Sequence, residues 1–351
     1  MRISERFKDR APYSPGGSPC PVILNANESF VLPSMALMDD FHAIMDDCAF
    51  NRYPDPRAKD LCQAFADFYG VDWQQVTAGN GSDELIELLF ACLVAPGDRV
   101  VTVEPDFSMY GAGAYMNGVE QFIYQQEDYR INVDHLLAFA KEKDAAMLIF
   151  SNPCNPTGVV LPREDVLRIL NDFDGIVVVD EAYMDFADES VLDLAGIQEN
   201  LIVLKTCSKA LGMAGLRVGF AITTPELTNY LQVGKPVYNV SRLTQALATC
   251  VLRHDAEVRA AIETINASTQ DLVDGLAPIV EESDVLERML PTATNFVYIL
   301  TDKASDLFEL MQTHGVLVRQ PQKNALRINC GTQMENEACL SALRASLKEL
   351  D

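Results

Sequence analysis

The chain's clearest structural signal reads Leu201-Ile202-Val203-Leu204-Lys205-Thr206-Cys207-Ser208-Lys209-Ala210-Leu211-Gly212. Its first half is a short apolar run bounded by small and polar residues, which is typical of a strand buried on both faces. Residues 146–151 and 175–180 have the same texture, and helix-like stretches over 134–143 and 163–172 lie between such runs. This alternation predicts an α/β fold with a mostly parallel central sheet covered by helices on both sides.

The pattern extends in both directions from this stretch. Upstream, residues 82–95 predict a helix with an apolar stripe and residues 99–104 a strand. Downstream, residues 218–222 predict another strand, and after about Val240 the texture changes to long helices. The expected later elements are helices over 241–275, 304–314 and 335–350 and strands over 294–300, 315–319 and 325–330. We therefore predict an N-terminal arm over residues 1–33, a large domain over 34–240 and a smaller α+β domain over 241–351.

Composition narrows the possible partners. The 351 residues include 27 Lys and Arg against 51 Asp and Glu, a net charge of −24. Such a charge argues against nucleic acid or an anionic membrane as a partner, because both repel the molecule at long range. No apolar stretch is long enough for a membrane span, and the first ten residues lack the apolar core of a signal peptide.

The cysteines and histidines point to no metal site. The nine cysteines are scattered, with no Cys-x-x-Cys pair, and the four histidines share no metal-ligand spacing. Scattered thiols fit a reducing compartment better than a disulfide framework. We expect a cytoplasmic protein without a metal.

Chemically versatile side chains follow the predicted strands. Ligands of open parallel sheets bind outside the carboxyl ends of the strands. Lys209 follows one strand in a run of small residues, where a desolvated amine can form a Schiff base with an aldehyde cofactor. Ser208 and Arg217 offer a hydroxyl and a fork of donors suited to a phosphate. A surface lysine in a glycine-rich turn is the alternative for Lys209 taken alone.

A carboxylate follows the neighbouring strand. Asp180 ends an all-valine run, so its charge needs a cationic partner, and a protonated pyridine nitrogen would serve. Capping of a helix is the alternative for Asp180. Tyr183 and Asn155 lie close by in sequence, although each also fits a plain structural role, Tyr183 at the edge of the core and Asn155 as a turn former between prolines.

The segment Gly79-Asn80-Gly81-Ser82-Asp83-Glu84 precedes a predicted helix. Glycines before a helix leave backbone N–H groups free for an anion, so we interpret the segment as a phosphate site, with plain capping as the alternative. A covalent anchor, phosphate donors and a carboxylate for a ring nitrogen are the parts that pyridoxal phosphate requires. Their recurrence at successive strand ends predicts this cofactor.

With these motifs the sequence resembles the fold-type I aminotransferases of class I/II, and more narrowly the histidinol-phosphate aminotransferases. The resemblance covers nearly the whole chain. It is carried by Asn25-Ala26-Asn27-Glu28, Arg52-Tyr53-Pro54-Asp55-Pro56, Gly81-Ser82-Asp83-Glu84-Leu85-Ile86-Glu87-Leu88, Pro96-Gly97-Asp98, Asp180-Glu181-Ala182-Tyr183, Ser208-Lys209-Ala210, Ala214-Gly215-Leu216-Arg217, Tyr238-Asn239-Val240, Thr294-Asn295-Phe296, Arg327-Ile328-Asn329 and Gly331-Thr332.

The resemblance implies a role for each matching residue. Lys209 carries the cofactor, Asp180 pairs with its ring nitrogen, and Tyr183 and Asn155 bond its phenolic oxygen. Tyr110 stacks on the ring. The implied phosphate ligands are Ser208, Arg217, the backbone at Ser82 and Asp83, and Tyr53 reaching across a homodimer. The implied substrate-binding residues are Tyr13, Asn27, Arg319 and Arg327, with Arg327 as the carboxylate clamp and both arginines as candidates for a substrate phosphate.

Small departures from the family accompany these matches. Cys207 and Leu211 stand where leucine and phenylalanine are more usual, Cys154 stands where asparagine is common, and the Arg319 to Arg327 loop is short. The implied reaction moves an amino group from histidinol phosphate to 2-oxoglutarate. An aromatic or broad-range aminotransferase, a threonine-phosphate decarboxylase, a non-catalytic cofactor-binding module and a scaffolding protein are the alternatives.

Overall fold

The computed structural model describes Lys8 and residues 19–350. Its strands are β1 (Val22–Ile23), β2 (Val76–Gly79), β3 (Arg99–Glu104), β4 (Glu120–Gln125), β5 (Ala145–Ser151), β6 (Ile176–Asp180), β7 (Leu201–Thr206), β8 (Gly219–Ile222), β9 (Arg288–Met289), β10 (Phe296–Leu300), β11 (Val316–Leu317), β12 (Arg319–Gln322) and β13 (Ala325–Asn329). Its α-helices are α1 (Met35–Asp46), α2 (Lys59–Tyr69), α3 (Ser82–Leu93), α4 (Met109–Asn117), α5 (Val133–Glu142), α6 (Arg163–Asp172), α7 (Pro225–Gly234), α8 (Arg242–Arg253), α9 (Asp255–Glu282), α10 (Ala304–Thr313) and α11 (Gln333–Leu350).

The main sheet has seven strands in the order β2-β8-β7-β6-β5-β3-β4. Neighbours from β4 to β7 pair in parallel, whereas β8 runs antiparallel to both β7 and β2. The β7–β8 connection is short and contains no α-helix, so the chain returns in the opposite direction. The expected mostly parallel sheet is confirmed, with β8 as its exception.

Both faces of this sheet are buried, which explains why its central strands are apolar throughout. Successive side chains of a strand point to opposite faces. Accordingly Val177 and Val179 of β6 join one buried cluster with α2, α5 and α6, while Val178 joins another with α3 and α4. The cost of exposing either face keeps the helices packed and fixes the strand register.

The register aligns the ends of three strands at one edge. Ser151 of β5 pairs with Asp180 of β6, and Asp180 pairs with Leu204 of β7. The segments that follow β5, β6 and β7 therefore leave the sheet side by side. This is the edge at which open parallel sheets bind their ligands.

A second, antiparallel sheet has the order β12-β13-β10-β9 and packs against α9, α10 and α11. The N-terminal segment joins this unit because β1 pairs in parallel with β11. Helix α9 runs on past residue 275 to Glu282, with Pro278 inside it. The domain boundaries at residues 33 and 240 stay predictions.

Most predicted elements are present within a few residues, and 99–104, 163–172 and 201–206 have the predicted bounds. Two strands of the main sheet, β2 and β4, were not predicted. Strand β4 is at the sheet edge and carries Glu120, Gln121 and Gln125, so its composition lacks the apolar signal of a central strand. In the described part of the chain, every helix is too short or too polar to cross a bilayer.

Candidate active site

The cluster at the sheet edge centres on Asp180. Its Oδ2 accepts a hydrogen bond of 2.8 Å from the Tyr110 hydroxyl, and its Oδ1 accepts one of 3.1 Å from the Ala182 backbone. Burial raises the pKa of the Asp180 carboxyl from 3.8 to about 6, the two donors oppose that rise, and the negative charges of Asp83 and Glu181 add to it. The hydrogen-bonding neighbours are neutral and the charged neighbours are anionic, so this site favours a cationic ligand.

The raised pKa of Asp180 has a predictable effect on stability. Because the pKa of Asp180 is higher in the folded state than in the unfolded state, this carboxyl stabilises the fold. Its stabilisation is complete below pH 3.8 and is lost as the pH rises through about 6. We expect the free energy of unfolding of the cofactor-free protein to fall by up to roughly 3 kcal/mol over this pH interval, relative to that of an Asp180→Asn variant. Urea unfolding of both proteins at pH 4, 5, 6 and 7 measures the difference. A difference that stays constant with pH would contradict the assignment.

Lys209 is at the same sheet edge as Asp180, because it follows β7 and β7 pairs with β6. Its Nζ donates a 3.0 Å hydrogen bond to the backbone carbonyl of Ala26 and lies 5.8 Å from the centre of the Tyr183 ring. The N-terminal segment thus covers the lysine. The sequence-predicted amine and carboxylate are both at the same sheet edge.

The N-terminal segment also forms a hydrogen bond with Tyr183. The Tyr183 hydroxyl accepts a 2.9 Å hydrogen bond from Asn27 Nδ2, and the Asn27 backbone N–H donates to Asn329 Oδ1 at 3.1 Å. Asn27 is buried and has a φ of +55°. Asn27 Oδ1 has no hydrogen-bond partner among the described residues. Asn27 of the N-terminal segment thus connects Tyr183, which follows β6, to Asn329 of β13.

Arg217, Ser208 and the first residues of α3 form a group of potential phosphate ligands, here called the cradle. The Arg217 guanidinium donates to Ser208 Oγ at 3.4 Å and to Asp83 Oδ2 at 3.0 Å. Gly81 precedes the helix without a side-chain cap, and the first N–H groups of a helix have no partners within it. The cradle therefore combines a cation, a hydroxyl and helix N–H groups, which suits a phosphate.

Gly81 gives Arg217 its room. Gly81 has a φ of +83°, and a Cβ there would lie 2.5 Å from Arg217 Nη2. We expect Gly81→Ala to weaken binding of pyridoxal phosphate by about 10-fold or more, since both backbone strain and displacement of the guanidinium act against it. Gly215→Ala is the matched control because no atom lies within 4 Å of its added Cβ. Fluorescence titration with the cofactor measures both affinities, and equal values would contradict the cradle.

Two residues that were predicted for different roles, Arg327 for the substrate and Asn155 for the cofactor, contact each other. Arg327 of β13 donates to Asn155 Oδ1 at 2.6 Å and to the Asn25 carbonyl at 2.8 Å. Arg319 of β12 is the register partner of Arg327. Of the sequence-predicted substrate residues, Arg327 therefore contacts Asn155 directly, Arg319 lies next to Arg327 in the sheet, and Asn27 contacts Tyr183 and Asn329.

One predicted site residue is largely exposed instead. Tyr53 is 74% exposed and its ring stacks on Tyr238 at 4.4 Å. Tyr13 lies outside the described residues. The interpretation of Tyr110 also changes in detail: besides offering a ring to stack on, it donates its hydroxyl to Asp180.

Sequence reasoning missed two buried carboxylate networks beside the site. Asp106 accepts hydrogen bonds from Ser151, and Lys205 lies 3.0 Å from Asp185 and 3.6 Å from Glu181. Lys205 lies inside an apolar strand, which is the signal that could have identified a buried ion pair. Asp106 follows the β3 strand end, so the strand-end rule would also have found it.

The histidines also gave no sequence signal, yet one is close to other potential ligands. His254, Asp40 and Cys250 offer ligand atoms within 4.8 Å of one another. His254 Nε2 forms a 2.9 Å ion pair with Asp40. The pair connects α1 to the corner between α8 and α9.

With fold and site in place, comparison with known proteins defines the class. The model of the family "Aminotransferase class I and II" matches residues 17–343, and the chain belongs to that family. The histidinol-phosphate aminotransferase of Clostridium kluyveri is 38% identical over 99% of this chain and 100% of its own length. That of Clostridium novyi is 35% identical over 96% of this chain and 95% of its own.

A solved structure shows the same fold. The histidinol-phosphate aminotransferase of Sinorhizobium meliloti, in complex with pyridoxal-5'-phosphate, superimposes with a TM-score of 0.90 at 24% identity. The match covers 100% of this chain and 98% of the other. The expected fold-type I architecture is therefore confirmed.

Proposed function

We propose that this protein is a pyridoxal-phosphate-dependent aminotransferase that converts histidinol phosphate, with 2-oxoglutarate as the amino acceptor. One observation carries the chemistry: Asp180 ends β6, Lys209 follows the adjacent β7, and Arg217, just before β8, connects Ser208 to Asp83 at the start of α3. The substrate rests on full-length similarity to proteins named histidinol-phosphate aminotransferase.

The residues present fit the cofactor. Asp180 is a buried carboxylate whose hydrogen-bond donors are neutral, which suits a protonated ring nitrogen. The cradle of Arg217, Ser208 and the α3 N-terminus suits the phosphate, and Lys209 supplies the amine. Asn155 accepts from Arg327 through Oδ1, so its amide nitrogen is left to donate to the phenolic oxygen.

When bound, pyridoxal phosphate supplies an aldehyde that exchanges between amines and a ring that withdraws electrons from the substrate carbon. Lys209, displaced by the incoming amine, would take the proton from that carbon at Nζ and would return it two atoms further along, to the C4′ carbon of the cofactor. Asp180 keeps the proton on the ring nitrogen through its negative charge. Arg217 and Ser208 hold the phosphate fixed while Lys209 moves.

Substrate recognition is assigned to the arginines of the second sheet. Arg319 and Arg327 are register partners on β12 and β13, and their guanidinium groups suit a substrate phosphate or, in an amino acid, a carboxylate. Histidinol phosphate carries a phosphate and no carboxylate. An aromatic aminotransferase or a threonine-phosphate decarboxylase would use the same two arginines for a carboxylate, so the donor itself must be tested.

The test is a spectral titration of the cofactor-loaded protein with separate amines. We expect histidinol phosphate to convert the bound cofactor at about 100-fold lower concentration than phenylalanine or histidinol, the phosphate-free analogue. Phosphothreonine tests the decarboxylase through release of carbon dioxide. Preference for phenylalanine would move the substrate to aromatic amino acids, and a protein that transaminates no amine would favour the non-catalytic module.

We propose a homodimer as the working unit. Exposed apolar side chains are concentrated in the chain around Phe50, Tyr53 and Val237, and Tyr53 stacks on Tyr238 there. A second copy would bury this surface and bring Tyr53 to its cofactor phosphate. We expect a solution mass twice the 38.8 kDa of one chain. Phe50→Asp should shift the mass toward one chain, whereas the control Ile197→Asp, at a side chain 74% exposed, should not.

We propose a cytoplasmic location and no nucleic-acid or membrane partner. The described cysteines are free thiols, which a reducing compartment preserves. The net charge of −24 disfavours polyanions at long range. The ligands of the protein are then small molecules.

A further inference from the structure

Asp106 is an acidic residue beside the site that the proposed reaction does not use. It lies just beyond the end of β3 and comes directly after Pro105. Its carboxylate accepts a 2.9 Å hydrogen bond from the Ser151 backbone N–H, another from the Ser151 hydroxyl, and one of 2.6 Å from the Phe107 N–H. Burial raises the pKa of the Asp106 carboxyl to about 7, the Ser151 and Phe107 hydrogen bonds oppose that rise, and the Asp180 charge adds to it.

The Ser151 hydroxyl extends this contact to the Asn155 loop. Ser151 Oγ donates to Asp106 and accepts the Asn155 backbone N–H at 3.0 Å. The Asn155 side chain then accepts from Arg327 at 2.6 Å. One continuous chain of hydrogen bonds thus runs from Asp106 at the end of β3 to Arg327 in the second sheet.

The same loop is attached to the Asp106 segment at a second point. The Pro105 carbonyl accepts from Cys154 Sγ at 3.3 Å and from Gln126 Nε2 at 2.9 Å. The segment 105–106 therefore holds the loop before and at Asn155. Because Asn155 is flanked by prolines and lies on a loop, its side-chain direction depends on these contacts.

We propose that Asp106 is a positioning residue that, through Ser151, holds Asn155 in the orientation in which its amide nitrogen faces the phenolic oxygen of the cofactor. The proposal deepens the proposed function and rests on it. It assigns Asp106 a mechanical role, transmitted by one hydroxyl, and not a direct electrostatic one.

A positioning role and a direct electrostatic role of Asp106 predict opposite shifts in the pKa of the cofactor-bound Lys209 nitrogen. A hydrogen bond from Asn155 to the phenolic oxygen draws negative charge away from that oxygen and loosens the proton on the cofactor-bound Lys209 nitrogen. Misplacing Asn155 therefore raises the pKa of that nitrogen. Loss of a negative charge near Asp180 does the reverse, because a nearby carboxylate stabilises a cation.

The experiment is a pH titration of the visible absorption of the cofactor-loaded protein. It compares wild type with Asp106→Asn, Ser151→Ala and Asn155→Ala. Ser151→Ala keeps the Asp106 carboxyl group and removes the hydroxyl that links it to Asn155. Ser190→Ala is the matched control, since Ser190 Oγ makes a 2.7 Å hydrogen bond to another buried carboxylate, Glu181.

We expect the pKa of the cofactor-bound Lys209 nitrogen to rise by roughly 0.5 to 1 pH unit in each of Asn155→Ala, Ser151→Ala and Asp106→Asn. It should be unchanged in Ser190→Ala. Ser151→Ala should add nothing in the Asn155→Ala background, because both act through one contact. A lowered pKa in Asp106→Asn overturns the proposal in favour of a charge effect. No shift in Ser151→Ala or Asn155→Ala overturns it as well. A wild-type protein that never develops the visible band contradicts the proposed function instead.

Discussion

Lys209→Ala should reduce transamination by about 10⁴-fold and abolish the visible absorption band of the cofactor-loaded protein. The Lys209 Nζ lies at the same sheet edge as Asp180 and donates a hydrogen bond to the Ala26 carbonyl. Its removal takes away both the covalent anchor and the group that moves the substrate proton, and general-base loss alone costs about 10²- to 10⁴-fold. Absorption spectra and glutamate formation from 2-oxoglutarate measure the two effects.

Lys209→Arg separates the amine chemistry from the positive charge. It keeps the cation but cannot form the covalent link, so it should be as inactive as the alanine variant. Lys303→Ala, at an exposed lysine before α10, is the matched control and should behave as wild type. Normal turnover in Lys209→Ala would rule out the assigned role.

Asp180→Asn should retain the cofactor and still lose turnover by about 10²- to 10³-fold. The phosphate cradle of Ser208 and Arg217 is independent of Asp180, so binding through the phosphate persists. The asparagine amide cannot hold the proton on the ring nitrogen by charge, and loss of one such electrostatic contact costs roughly 3 to 4 kcal/mol. Exchange of the substrate α-proton with deuterated solvent measures the affected step directly.

Asp174→Asn, an exposed aspartate just before β6, is the control for this charge change. It should leave proton exchange at the wild-type rate. Wild-type exchange in Asp180→Asn would refute the pairing of this carboxylate with the ring nitrogen. The Tyr110 hydroxyl, which donates to Asp180 Oδ2, would then be its main partner.

The sequence predicted the strands whose ends position Asp180 and Lys209, but not β2, which leads to the phosphate cradle, or α4, which carries Tyr110. Strands such as β6 and β7 are apolar on both faces, and this pattern predicts that they are buried. The side chains at and after their ends are therefore candidates for the site. Edge strands such as β4 are not recognisable in this way, because one side faces solvent and tolerates polar residues. The reversed direction of β8 depends on a connection length and was not predicted.

Contacts between distant residues were beyond the same reasoning. Tyr110 and Asp180 are 70 residues apart, and Asn155 and Arg327 are 172 apart. Periodicity predicts which face of an element is buried but not which side chain of another element meets it. The Asp106–Ser151 contact illustrates this limit, since each residue alone resembles a turn former.

The pairing of β1 with β11 also has a consequence for the order in which the molecule is made. Val22 and Ile23 have their partners at Val316 and Leu317, almost three hundred positions later. During synthesis from the amino terminus, the segment bearing Ala26 and Asn27 leaves the ribosome long before the strand that fixes it. Lys209 and the seven-stranded sheet can therefore assemble while this segment is still undocked, and the cofactor site closes only after β11 has been made.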